Sequence, residues 1–208
     1  DLPRIEEILS AFRDAIGRDF TAYRNHVYRV ANLCFENGDD DGDRQKIEVA
    51  AAFHDLGIWT AGTLDYLAPS EAAAARYLEE RERGSIVPEV TAMIAQHHRV
   101  RPCDDFPWPL VERFRRADIA DFSLGLVPMG HSRERIATLK RLFPNAGFHA
   151  RALAGCALDA DLAAHQVRAL AQAGDAQRLR LARIRHAEAR AVVTHRQQEA
   201  VPLAGDAH

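Results

Sequence analysis

The sequence predicts an all-α protein, and three observations predict it. Apolar residues recur at three- and four-residue spacings almost throughout. Strand-like alternation closed by tight Asn-Gly or Asp-Gly turns is absent, Asp41-Gly42 lying inside an acidic stretch. The periodic segments are separated by connectors rich in Gly, Pro and polar residues. Helices are expected at about 3–17, 22–36, 44–56, 70–83, 87–98, 109–123, 132–142, 147–171 and 175–197, a bundle of eight to nine. The connectors between them include Asn37–Asp43, Gly57–Pro69, Arg101–Pro109 with its three prolines, and Val127–His131.

The bulk numbers set limits on what the chain does. Its 208 residues fit one large domain or a domain with an appendage, and a 47% hydrophobic fraction supplies a sizeable core. Beyond about Asp159 the sequence turns rich in Ala, Arg, Gln and His. The expected division is therefore a helical domain over 1–160 and a helical extension with a disordered tail over 161–208. A net charge of −3 provides no basic field, so neither a stable nucleic-acid partner nor an anionic membrane is expected. No run approaches the ~18 apolar residues that cross a bilayer. The first residues lack the cationic and apolar regions of a secretory signal. Cys34, Cys103 and Cys156 are isolated, which argues against a disulfide framework and a Cys-ligated zinc site. Cys34 and Cys156 read as small core residues, and the natural location is the cytoplasm.

Four of the expected helices place an ionisable residue on an apolar face. In the second, His26 lines up with Val30 and Leu33; in the third, Ile47, Ala50 and Ala51 lead to His54. In the fifth, Val90, Met93 and Ile94 lead to His97, with His98 beside it. In the sixth, Leu110, Phe114 and Ala117 lead to Asp118, and Asp121 follows one turn later. Residues at these spacings share one side of a helix, so the groups point inward. A buried carboxylate without a partner costs several kcal/mol, about the scale that forces protonation, pairing or metal binding. Imidazoles and carboxylates converging from separate helices suit a first-row divalent ion. The sharpest local signal is Ala50-Ala-Ala-Phe-His-Asp-Leu-Gly57, in which a helix end lets neighbouring His54 and Asp55 reach one ion.

These residues resemble the HD-domain superfamily of metal-dependent phosphohydrolases, whose spaced pattern is His … His-Asp … Asp. Here it reads His26 within Asn-His-Val-Tyr-Arg-Val, then His54-Asp55, then Asp118 within Arg-Arg-Ala-Asp-Ile-Ala-Asp. His54 follows His26 by 28 residues and Asp118 follows Asp55 by 63, and the resemblance covers roughly residues 20–125. It implies an HD-like helical bundle in which His26, His54, Asp55 and Asp118 coordinate one divalent ion: Mn, Fe, Co, Ni, Mg or Zn. It also implies a hydrolase acting on a small anionic substrate, a phosphate ester or nucleotide, by attack of water activated at the ion.

The departures refine that expectation. Where two-metal members carry a further His, this chain has Ala68-Pro-Ser70-Glu71, so a mononuclear site is expected. His97 and His98 match the family's later His pair and would then face substrate, Asp55, His97 and His98 forming the catalytic set. Positions that hold an acid or Lys in some members hold Ile58, Trp59 and Thr60. Arg29, Arg99 and Arg101 are candidates to grip an anion. Arg29 could instead pair with a buried carboxylate such as Asp118 or Asp55. Asp121 reads as a supporting or capping residue, and Arg113, Arg115 and Arg116 as a solvated helix face. Asn37 to Glu48 imitates a calcium loop but reads as an acidic linker, because Asn stands at the first ligand position and Arg44 where an apolar residue belongs. Other readings stay open on the same scaffold: a hydratase acting on small nitriles or cyanamide, a dinuclear iron oxygenase, or a non-catalytic binding module. A homodimer is one assembly open to the chain.

Overall fold

The computed structural model describes residues 2–61 and 65–148, and these are helical as expected. In chain order the helices are α1 (Pro3–Ala11), α2 (Arg13–Ile16), α3 (Phe20–Cys34), α4 (Asp41–Phe53), α5 (Gly57–Thr60), α6 (Leu67–Glu79), α7 (Val87–Gln96), α8 (Pro109–Phe122) and α9 (Arg133–Leu142). Short 3₁₀ turns precede α3 (Gly17–Asp19) and α7 (Gly84–Ile86). The helices expected at 147–171 and 175–197, the extension from 161 and Cys156 lie outside the described residues.

Local chemistry explains where the elements differ from expectation. The first expected helix is broken at Phe12, and Gly17, at φ +59°, turns the chain into α3. α4 starts three residues early because the Asp40 side chain accepts from the Asp43 amide, while Asp41 and Asp43 complement the positive end of the helix. α6 stops short of residue 83. Glu82 adopts a left-handed conformation and the Arg83 amide reaches back to the Leu78 carbonyl, a Schellman reversal. Pro109 opens α8 at a position where no amide is needed.

α3 runs through the middle, packed on α4 and α8, while α7 lies against α4, α6 and α8. Their shared core includes Val27, Val30, Ile47, Met93, Ile94 and Phe114, all buried. Ala50, Ala51 and Ala52 are fully buried, and their small size brings the end of α4 close to its neighbours. Among the described residues no helix is long and apolar enough to cross a membrane.

Two expectations about charge are settled here. The triplet on α8 is not a solvated face. Arg115 is 1% exposed and binds Glu112 and the Arg99 carbonyl; Arg113 binds Asp39 and the Cys34 carbonyl; Arg116 binds the Met129 carbonyl. Arginines thus tie α8 to the carbonyl-rich ends around it, which alternating charge alone does not reveal. The calcium-like stretch is only partly a linker: residues 37–40 connect α3 to α4, Asp41–Glu48 belong to α4 itself, and three of its carboxylates are engaged elsewhere. Asp40 caps α4, Asp39 accepts from Glu36 and Arg113, and Glu48 is buried against Arg4 at 2.7 Å.

Gly57 has a structural reason other than a backbone freedom. A Cβ there would lie 2.3 Å from the Tyr66 carbonyl oxygen and 2.9 Å from Ser70 Oγ, the atom that accepts its own amide proton. α5 and the start of α6 are therefore pressed together directly behind His54 and Asp55. Gly57→Ala is expected to destabilise the fold by about 1–3 kcal/mol through overpacking. Thermal unfolding checks it, and an unchanged midpoint would contradict this packing.

Candidate metal centre

Four elements deliver the site. α3 carries His26, the turn that follows α4 carries His54 and Asp55, the turn after α7 carries His97 and His98, and α8 carries Asp118 and Asp121. Past Phe53 the chain tightens: the Leu56 amide bonds to the Phe53 carbonyl and the Ile58 amide to that of Asp55. In this tightened turn His54 and Asp55 face the same point. His54 Nε2 lies 3.4 Å from Asp55 Oδ2 and 3.6 Å from Asp118 Oδ1. His26 Nε2 lies 2.9 Å from His54 Nε2, 3.5 Å from Asp118 Oδ1 and 3.6 Å from Asp55 Oδ2. The fold thus brings together all four residues that the sequence nominated. His97 joins them, its Nε2 3.4 Å from Asp55 Oδ1.

The imidazoles are oriented from behind. His26 Nδ1 donates to Asp121 Oδ2 at 2.8 Å, His54 Nδ1 to the Ala51 carbonyl at 2.9 Å, and His97 Nδ1 to the Ile94 carbonyl at 2.6 Å. With each Nδ1 carrying a proton, each Nε2 turns toward the carboxylates. Such tautomer fixing is how proteins prepare imidazoles for a metal. Two of the inward atoms, His97 Nε2 and Asp55 Oδ1, are buried without a hydrogen-bond partner. Donor atoms of His26, His54 and Asp118 lie within 4.8 Å of one another, as do those of His54, Asp55 and His97, and of His97, His98 and Asp118. A cation among these donors would satisfy the orphaned carboxylate oxygen of Asp55, so the residues present fit a divalent ion.

The electrostatics carry the same demand. Burial favours a neutral Asp55, but His54 and His97 facing it hold its carboxyl well below the usual range. Asp118 is pushed up, with burial outweighing the pull of His97, His54 and His26. Burial alone would strip the proton from His54, yet the Asp55 and Asp118 carboxylates overcome it and raise His54 to about 9. The proton that His54 holds thus supplies positive charge beside the two carboxylates. It also explains the 2.9 Å approach of two imidazole Nε2 atoms, which two bare lone pairs would not tolerate. Asp121 is buried, which works against ionisation, but His26 and Arg29 hold it low. His98 is lowered to about 3, first by burial and then by His97, and stays neutral.

The remaining nominated residues are distributed as follows. Arg29 is 1% exposed, so it does not stand at the mouth to grip an anion. It grips Asp121 through Nε and Nη2 at 2.6 and 2.9 Å, and the Phe143 carbonyl through Nη1 at 2.8 Å. The alternative expectation, pairing with a buried carboxylate, is the arrangement found, with Asp121 in place of Asp118 or Asp55. Arg99 pairs with Asp105 at 2.8 Å on the surface, and Arg101 is exposed beside it. His98 is hydrogen-bonded to the Tyr66 hydroxyl. Ser70 is taken up by the Gly57 amide, and Glu71 is raised by burial, against the pull of His97. Trp59 packs on Tyr23, ring centres 4.7 Å apart, and donates to Asp19. Phe148, which stacks on His26, went unrecognised because the sequence there reads only as the start of another helix.

Residues 23–122 match the family model of the HD domain, a span that takes in the whole His26, His54-Asp55, Asp118 set. This span belongs to the HD-domain superfamily. No curated protein and no solved structure matches it. HD domains bind divalent metal ions and form a superfamily of metal-dependent hydrolases, and the buried His/Asp cluster of this HD domain lies where its helices meet.

The raised His54 makes a signed prediction. Its folded value of about 9 stands above the ordinary 6.5, so the stability it contributes is fully present below pH 6.5 and is lost as pH rises through about 9. In a chelator, the unfolding temperature is expected to fall across that window; with a saturating divalent ion the slope is expected to disappear. A chelated protein with a flat profile between pH 6.5 and 9 would contradict the proton-for-cation exchange.

Proposed function

We propose that this HD domain is a phosphohydrolase that holds one divalent ion with His26, His54, Asp55 and Asp118 and cleaves a small phosphate ester or nucleotide. The observation that carries the reading is the set of three imidazoles with committed Nδ1 atoms, whose Nε2 atoms face two buried carboxylates. A bound divalent ion supplies Lewis acidity there, lowering the pKa of water and drawing negative charge from the phosphoryl oxygens.

The chain's own residues do the rest. His97, outside the four ligands, takes the proton of the attacking water on Nε2, and the ionised Asp55, its Oδ1 3.4 Å from that nitrogen, stabilises the imidazolium that forms. His98, neutral and oriented by Tyr66, is a hydrogen-bond partner for substrate rather than a cationic acid. Arg99 and Arg101 are the nominated arginines at the surface. Arg99 would exchange its exposed Asp105 partner for a phosphate at little cost, since solvent screens such a surface ion pair.

One observation favours a second reading. Arg29 is spent inside the protein and Arg99 is already paired, which leaves the site less equipped for an anion than the sequence suggested. A small neutral substrate, such as a nitrile or cyanamide hydrated at the same ion, suits that arrangement. Both readings are tested by one panel of nucleotides, small phosphoesters, nitriles and cyanamide, run with Mn, Fe, Co, Ni, Mg and Zn. The expected outcome is phosphate release with at least one ion, reduced about 100-fold or more in Asp55→Asn. Hydration of a nitrile without phosphate release would replace the first reading with the second. Full phosphatase activity in Asp55→Asn would end the mechanism.

A further inference from the structure

The segment that leaves α9 crosses back over α3, the helix that carries His26. Ala146 and Gly147, both at positive φ (49° and 88°), reverse its direction, and the Phe148 amide closes the turn on the Asn145 carbonyl at 3.0 Å. Neighbouring residues of α3 hold it down. Asn25 Nδ2 donates to the Pro144 carbonyl at 2.8 Å, and Arg29 Nη1 donates to the Phe143 carbonyl at 2.8 Å. The Phe143 ring lies 4.9 Å from that of Tyr28. At the end of the turn Phe148, 2% exposed, lies flat on the imidazole of His26, ring centres 4.0 Å apart and planes 13° apart.

These contacts act on His26 in two independent ways. Asp121 fixes which nitrogen holds the proton, whereas the parallel Phe148 ring restrains rotation of the imidazole about its own bond. The ring also covers one face of His26, keeping water from that side of the cluster and so strengthening every charge interaction within it. Arg29 joins the two devices, because one guanidinium binds both Asp121 and the segment.

We propose that residues 143–148 form a clamp that positions His26, with Phe148 as the positioning residue, so that docking of the clamp and binding of the ion favour one another. The inference rests on reading the cluster as an ion site. Linkage makes the effect reciprocal: whatever the clamp adds to ion affinity, the ion adds to clamp docking. Phe148 has no part in the chemistry itself and touches none of the carboxylates' roles; it acts through His26.

The test uses the full chain and Co(II), whose visible absorption bands report ligand geometry. In the wild type, Co(II) is expected to slow proteolytic cleavage within 143–148. Phe148→Ala is expected to weaken Co(II) binding about 3- to 10-fold, alter the absorption bands and abolish the protection. Phe148→Leu keeps the burial without the flat stack and is expected to show the same spectral change, which separates positioning from folding. Phe148→Tyr is expected to restore wild-type affinity and spectrum. Wild-type affinity and spectrum in both the Ala and Leu variants would overturn the clamp while leaving the ion site standing. A wild-type chain that takes up no Co(II) would overturn the ion site and the clamp together.

Discussion

Two carboxylates and three imidazoles occupy a space only a few Å across, largely screened from solvent by the packing of α3, α4, α7 and α8. Leaving two like charges unpaired in such a place costs several kcal/mol each, about as much as a small domain can spare. A positive charge at the centre is what makes the arrangement tolerable. Without an ion that charge is a proton on His54, held by Asp55 and Asp118. The fold thus concentrates negative charge at one buried point, which the His54 proton balances and a divalent ion would also balance.

Much of the surrounding structure serves to keep these groups from relaxing apart. α3 and α8 face each other through a two-layer ladder, His26 opposite Asp118 and Arg29 opposite Asp121, with His26 also reaching Asp121. The second layer is a fully formed buried ion pair, so the carboxylate that orients His26 is itself anchored. Ala50, Ala51 and Ala52 allow close approach of α4, and Gly57 allows close approach of α6, which fixes the corner holding His54 and Asp55. Backbone carbonyls one turn back, at Ala51 and Ile94, orient His54 and His97. Both histidines sit just past helix ends, where carbonyls lack intrahelical partners and are available to imidazole Nδ1 atoms.

The four central residues could be read from the sequence because helical spacing converts directly into a shared face. His26 with Val30 and Leu33, and Asp118 with Phe114 and Ala117, point inward whatever the exact helix boundaries. The inward direction of Asp121 was equally visible, but its pairing was not. Which carboxylate meets Arg29 depends on the register between α3 and α8, and no pattern within either helix specifies that. The same limitation misassigned Arg113, Arg115 and Arg116, whose partners are carbonyls and carboxylates of other elements. Gly57 was visible as special, yet its reason is a neighbour, the Tyr66 carbonyl, supplied by tertiary structure. The contact of Phe148 with His26 spans most of the domain in sequence and follows from a loop whose course only the packing determines.

The most direct test of the central claim is equilibrium dialysis of the full chain against Mn(II) and Zn(II), with X-ray absorption on the loaded protein. One tightly bound ion per chain is expected, with imidazole nitrogen among its ligands, and both the ion and that signature are expected to vanish when Asp55 and Asp118 are replaced together by Ala. A doubly substituted protein that remains folded and binds the ion as tightly as the wild type would contradict the account.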